Sequence, residues 1–322
     1  MPMTSRRSVL AAAAAAALLP GFVPFRANAA DAPAGLKTIR VATTPDDASL
    51  SVVFAERTGR FRQAGIDVQI SIQTSGAAIA AGIAGSSYDV GKSSLNSILS
   101  AHLRNVPFTF IAPGGLSDQR IPYGHLIVAN DSGIGSAKDL NGKTLSVAAL
   151  GSLDPVTISA WVDANGGDSK TIKFVELPQT EAPVAIETHR IAAALIIHPQ
   201  VDAALAGGKV HVLGDPYGAL APLYLISGWF AMTDWVKANS DLVQKFVRIV
   251  NETAVYGNAH HAETAPILAD FSKLPLPVIQ KMTRAILGTS LTPALIQPVI
   301  DVSVKYGALA RSFPAAEVIA QP

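Results

Sequence analysis

Two kinds of apolar pattern alternate along this chain, and their order constrains the fold more tightly than any single motif. Short apolar runs, read as strands, take turns with segments at helical spacing. Residues 38–42 are the first buried strand. Residues 48–63 follow at helical spacing, with Leu50, Val53, Phe54 and Phe61 on one side, and stop before Gly65. Ile66, Val68, Ile70 and Ile72 alternate with Asp67, Gln69 and Ser71, the mark of a half-buried strand. A small-residue helix at 77–84, a short strand at 88–90, a helix at 94–104 and a strand at 108–111 complete the set. The order β-α-β-α-β-α-β predicts a doubly wound α/β unit with a largely parallel sheet.

Residues 113–122 are rich in Gly and Pro, and a second α/β set begins beyond them. Its strands are expected at 125–128, 144–147, 171–175, 194–197 and 210–213, with one helical turn at 138–140 and a helix at 156–165. The apolar run 223–230 reads as a strand returning to the first set. From Thr233 onward the pattern is helical, at 241–258, 262–271, 277–287 and 292–306. The expected fold is therefore α/β: two doubly wound lobes joined by a two-crossing hinge, with a helical C-terminal section packed on the first lobe. The first lobe spans 30–122, the second 123–226, and 227–322 returns to the first. A chain of 322 residues, 49% hydrophobic, is long enough for two such cores.

The first thirty residues bear on location. Arg6 and Arg7 precede an alanine run from Ala11 to Ala17, then Leu18 and Leu19, and Ala27-Asn28-Ala29 is a small-x-small cleavage site. Residues 1–29 read as a signal peptide, too short and too weakly apolar to span a bilayer. The arginine pair and Arg26 resemble a twin-arginine signal, with an ordinary Sec signal as the alternative. Cleavage near Ala29 removes three arginines and leaves 22 Lys and Arg against 24 Asp and Glu. That near-neutral balance argues against a nucleic-acid or anionic-membrane surface. The absence of cysteine excludes disulfides, thiolate metal sites, cysteine nucleophiles and a lipidated cysteine anchor. The expected product is a monomeric periplasmic protein that does not insert into the membrane.

Four phrases carry a family resemblance. They are the stretch from Ala55-Glu56-Arg57-Thr58-Gly59 through Gly65-Ile66-Asp67-Val68; Ser87-Tyr88-Asp89-Val90-Gly91; Ser132-Gly133-Ile134 with Lys138-Asp139-Leu140-Asn141-Gly142-Lys143-Thr144; and Ile196-Ile197-His198-Pro199. In this order and at these separations the chain resembles a periplasmic substrate-binding protein of the nitrate/sulfonate/taurine and thiamine-precursor type, serving an ABC importer. The resemblance covers about 37–319. It implies two lobes that close on a small solute and then dock on a membrane permease.

In open α/β sheets ligands sit at the carboxyl ends of strands, where helix N-termini offer free N–H groups. Several junctions here place Ser, Thr or Gly at such ends. Thr44 and Asp46 follow the first strand; Asp46 would repel an anion, and Asp47 is read as a helix N-cap. Ser75 and Gly76 open the helix at 77–84, as solute contacts or as a plain cap. Ser93 and Ser94, with Asn96 a weaker candidate, open the next helix, and Gly151 and Ser152 follow a strand of the second lobe. His198 stands where members of the resembled family commonly carry an acid before the proline, and is either a polar contact or a satisfied strand-end histidine. No metal site or cofactor is expected. Nor is an enzyme: no G-x-S-x-G, S-x-x-K, H-E-x-x-H or G-x-G-x-x-G motif occurs in the sequence. A periplasmic sensor subunit remains the alternative to a transport protein. The loops hold hydroxyls and backbone donors but no evident arginine clamp, so a small anion, first an aliphatic sulfonate, is the expected solute.

Overall fold

Alternating burial along the first strand shows how its sequence sets a sheet in place. Ile39 and Val41 are fully buried beside exposed Thr38 and Arg40 in β1 (Lys37–Thr43). The computed structural model describes residues 35–320, so the signal peptide expected at 1–29 lies outside the described residues. β1 pairs in parallel with β2 (Ile66–Ile72) from Lys37 opposite Ile66 to Thr43 opposite Ile72. On its other side it meets β3 (Val90–Ser94). Next come β4 (Phe108–Pro113), β5 (Gly115–Asp118) and β6 (Gly124–Ala129). β7 (Thr144–Val147), β8 (Lys173–Glu176), β9 (Ala193–Ile197) and β10 (Val210–Gly214) follow, then β11 (Leu223–Leu225), β12 (Ser227–Met232) and β13 (Ile286–Leu287).

The strands form three sheets, in the orders β2-β1-β3-β12-β4, β8-β7-β9-β6-β10 and β11-β5-β13. The first two share one layout. Three parallel strands are followed by one reversed strand and a fifth, and the reversed strand is the one that has just crossed from the other lobe. β12 runs antiparallel to β3 and β4, and β6 runs antiparallel to β9 and β10. The two doubly wound lobes thus repeat a topology that no sequence repeat announces.

Each lobe buries both faces of its sheet. On the first, Ile79, Ile83, Leu95, Ile98 and Phe230 fill one side, and Ile39, Val41, Phe61, Trp229 and Phe246 fill the other. The helix Ser240–Ala259 presents Val243, Phe246, Ile249 and Val250 at helical spacing. Phe246 stacks on Phe61 with ring centroids 5.2 Å apart, docking the C-terminal section on the first lobe. Each such side chain contributes roughly 1.5–3 kcal/mol by leaving water.

Several expectations change in detail, among them the strand expected at 88–90, which runs from Val90 to Ser94. The helix expected at 48–63 breaks at Gly59, whose φ of +74° lies in the left-handed region, leaving helices Leu50–Arg57 and Arg60–Gln63. Asp47 caps no helix; its carboxylate turns inward and accepts from Arg284 Nη2 at 2.8 Å, Arg284 Nε at 2.9 Å and the Ala285 N–H at 2.7 Å. The apolar run 223–230 is two strands, and the Gly/Pro-rich 113–122 contains a third, β5. The crossing strands β5 and β11 pair with one another, Leu225 opposite Leu116 and Leu223 opposite Asp118. The helix expected at 277–287 ends at Lys281, because Ile286 and Leu287 pair with Leu116 and Gly115. Among the described residues no helix is long and apolar enough to cross a membrane.

Candidate functional site

The carboxyl ends of the strands in both lobes face one cavity of about 380 Å³. The first lobe supplies Thr44 to Asp46 after β1, Ile72 to Gly76 after β2, Lys92 to Ser94 at the end of β3, and Ser97. The second supplies Ala148, Ala149, Ser152 and Asp154 after β7, Pro178 to Thr180 after β8, Ile197 and Gln200 around the end of β9, and Tyr217 after β10. Tyr123, Ile226 and Ser227 come from the crossings. A hollow of about 420 Å³ lies on the second lobe, at the amino ends of β7 and β9, lined by Asp131, Lys143, His189 and Arg190 among others. Those four side chains are all exposed and come from one lobe. The cavity between the lobes is the better candidate, since it gathers buried polar groups at strand carboxyl ends.

Its floor is built on a buried ion pair. Lys92 is 3% exposed, and its Nζ donates to both oxygens of Asp46, at 2.6 and 2.7 Å. Thr44 donates its hydroxyl to the same carboxylate. An ammonium carries three N–H groups, so this pairing leaves one uncommitted to Asp46. Beside it, Ser93 is 3% exposed and its Oγ has no hydrogen-bond partner. Gly76 lets these elements meet: a Cβ there would stand 2.3 Å from Ser93 Oγ. Ser75 is both candidates at once, lining the cavity and accepting from the Ala78 N–H at 3.3 Å as the cap of helix Gly76–Ala84.

The second lobe contributes a buried carboxyl. Asp154 opens the helix Asp154–Ala164, is 6% exposed, and accepts a hydrogen bond from the Tyr217 hydroxyl at 2.7 Å. Burial raises its pKa above the ordinary carboxylate value, against the lowering effect of that hydrogen bond. Burial likewise pushes the hydroxyls of Tyr123 and Tyr217 well above the ordinary phenol value, and the nearby carboxylates add to it. Gln200 Nε2 donates to the Pro45 carbonyl at 3.3 Å, which fixes the amide orientation and leaves Oε1 buried without a partner. Buried polar atoms are normally paired. Unpaired Ser93 Oγ from the first lobe and Gln200 Oε1 from the second, both lining this cavity, mark a surface prepared for something polar.

Two predicted residues do other work. Gly151 lies at the lip: its carbonyl accepts from Asn96 Nδ2 at 3.3 Å and from Ser97 Oγ at 3.1 Å. Ser94 Oγ accepts from the Leu153 N–H at 3.1 Å, and Asn96 also reaches the Ser152 carbonyl at 3.2 Å. Ser94, Asn96 and Gly151 therefore belong to a hydrogen-bonded latch between the lobes, although Ser94 also borders the cavity. His198 sits behind the wall, 5% exposed, bonded through Nδ1 to Asp202 and packed edge-on against His125 at 5.6 Å. Burial, then His198, holds the His125 pKa below its ordinary value. The structure brings Thr44, Asp46, Ser75, Gly76, Ser93, Ser94 and Ser152 together at the cavity, and leaves Gly151 and His198 off its wall. Sequence reasoning missed Lys92, Tyr123, Asp154, Gln200 and Tyr217. For Lys92 a signal existed, a lone lysine between Gly91 and Ser93 at a strand-to-helix junction.

Residues 48–264, more than half of the chain, match the family model described as NMT1/THI5 like. The chain belongs to the NMT1/THI5-like family. A relative from Bacillus subtilis (strain 168), described as a putative aliphatic sulfonates-binding protein, is 25% identical over 226 residues. That match covers 70% of this NMT1/THI5-like chain and 66% of the relative, just under two thirds of its length. The alkanesulfonate-binding protein of Xanthomonas axonopodis pv. citri bound to MOPS shares the fold at a TM-score of 0.75 and 16% identity, covering 88% of this chain and 98% of that one. The ligand-binding component of an ABC-type import system from Staphylococcus aureus with zinc bound does so at 0.77 and 12%, covering 89% and 97%. Both matches span most of each chain and show the fold of this family member.

Proposed function

We propose that this NMT1/THI5-like protein is a periplasmic solute-binding protein, not an enzyme, which captures a small solute between its lobes and delivers it to an ABC importer. The observation that carries this reading is the cavity between the lobes, lined from both sides by strand carboxyl ends and holding buried polar atoms without partners. The pairing of β5 with β11 supports a hinge at the crossings, near Tyr123 and Ser227, with 123–226 turning as one lobe. Ligand that bridges the lobes shifts the population toward the closed form, in which the Ser94, Asn96 and Ser97 latch is made. An oxyanion head, first that of an aliphatic sulfonate, fits beside Lys92, Ser93 and the N-terminus of helix Gly76–Ala84. Ile72, Pro45, Ala148, Ala149, Pro178 and Ile197 offer apolar wall to the rest of the solute.

The test is a thermal-shift and calorimetric screen of the monomeric protein, cleared of carried-over solute, against alkanesulfonates, taurine, nitrate, aromatic acids and pyrimidines. A solute at a hundred times its dissociation constant adds about 2.7 kcal/mol and visibly raises the melting temperature. Ser93→Ala is expected to weaken the hit about tenfold. Silence across all five classes overturns the reading. Stimulation of a reconstituted permease's ATP hydrolysis by the loaded protein separates transport from a sensor role.

A further inference from the structure

The charges lining the cleft do not balance, and the imbalance identifies what its solute must carry. Lys92 is the only cation among the described lining residues, and it is gripped by both oxygens of Asp46. That pair is neutral. Asp154 is then left as a second buried carboxyl in the cleft, contributed by the opposite lobe, with the Tyr217 hydroxyl donating to it at 2.7 Å and no basic side chain in salt-bridge contact among the described residues. Its position in the first turn of helix Asp154–Ala164 offsets part of its charge but supplies no counter-ion. Buried charges in proteins are paired, and a lone one is costly.

Two neighbours point the same way. Tyr123, Asp46 and Asp154 line the same cavity, so the two carboxyls act on one volume. Gln200 Oε1 is a pure acceptor, held in place by the bond from Nε2 to Pro45 and buried without a donor. A plain anion placed here meets two carboxylates against one lysine and leaves Gln200 Oε1 unsatisfied. A solute that joins an oxyanion to a nitrogen donor meets Lys92 and Ser93 at one end and finds acceptors at the other.

We propose that Asp154 is the counter-charge for a protonated nitrogen on the solute, so that the cleft selects amino-substituted oxyanions over the plain anions of the same size. This rests on the solute-binding reading above and narrows it. Asp154 becomes the specificity-determining residue of the site, with Gln200 Oε1 as a second acceptor.

Matched pairs test it by calorimetry at pH 7: ethanesulfonate against 2-aminoethanesulfonate, and propanoate against 3-aminopropanoate. The amino member of at least one pair is expected to bind about tenfold or more tightly than its plain partner, the scale of one charged hydrogen bond in a desolvated site. Asp154→Asn keeps the shape and an acceptor for Tyr217, removes the charge, and is expected to collapse that ratio toward one. Gln200→Leu, with Asp154 intact, is expected to reduce the ratio by a smaller factor. Thermal melts of both variants without solute confirm that each is folded. If the plain members bind as tightly as the amino members, or if Asp154→Asn leaves the ratio unchanged, the proposal is overturned while the solute-binding reading stands. If no member of either pair binds while another class in the wider screen does, a solute without this pairing occupies the cleft and the proposal again falls. If nothing in either set binds, both fall together.

Discussion

Gly76 has no side chain because Ser93 fills the space one would need. A Cβ at 2.3 Å from Ser93 Oγ forces one of the two elements to shift, so Gly76→Ala is expected to cost about 1–3 kcal/mol, read as a lowered melting temperature. Solute affinity should fall with it, since the same shift moves Ser93. Asp47 and Arg284 are 1% and 5% exposed at their side chains and bind one another at 2.8 Å. Removing one leaves the other charged and buried, so Arg284→Met is expected to cost about 3–5 kcal/mol in chemical denaturation, while the double change to an apolar pair recovers much of it. Asp154 sets a pH dependence of its own. Its folded pKa is raised by burial, so the folded state holds the proton more tightly than the unfolded chain. The stability it contributes is complete below the ordinary carboxylate value and is lost as pH rises through the raised one. Without solute, Asp154→Asn should therefore melt at or above the parent at pH 7, and the gap should close in acid. The hydroxyl candidates around the cleft were legible because strand ends and helix starts are local patterns. Lys92, Asp154 and Gln200 were not, because their meaning lies in partners forty or more positions away in the chain, Asp46, Tyr217 and Pro45 respectively.

At the scale of elements, apolar pattern located most strands and helices of the two sheets, since continuous apolar runs mark the central strands buried on both faces and helical spacing marks the long helices packed on them. It failed where a distant partner decides. Ile286 and Leu287 continue a helical spacing, yet the free edge of β5 takes them as a strand. The run 223–230 is uniformly apolar, which hides the change of sheet at Ile226 between β11 and β12. The latch at the start of helix Leu95–Leu103 carries the clearest prediction at this scale. Asn96 donates to two carbonyls of the opposite lobe, so Asn96→Ala weakens closure without touching the cavity wall. The expected result is a few-fold rise in dissociation constant, of about 0.5–1.5 kcal/mol, with a larger radius of gyration for the protein in X-ray scattering.

For the whole molecule, two lobes of one topology meet through a ribbon made from their own connections. The pairing of β5 with β11, extended by β13, ties both crossings to the helical section of the first lobe. The sheet of the second lobe comes from one unbroken stretch, 124–214, whereas that of the first needs β12 from beyond it. β12 stands between β3 and β4, with Trp229 and Phe230 fully buried, so the first sheet is two separate pieces until this strand arrives. Assembly consequently has a direction. The second lobe can form from local contacts alone, and the first must wait with a gap in its middle, paying the slow closure of a loop more than a hundred residues long before its core is continuous. Amides of β3 and β4 should then gain protection from hydrogen exchange after those of β7 and β9, although they are made first.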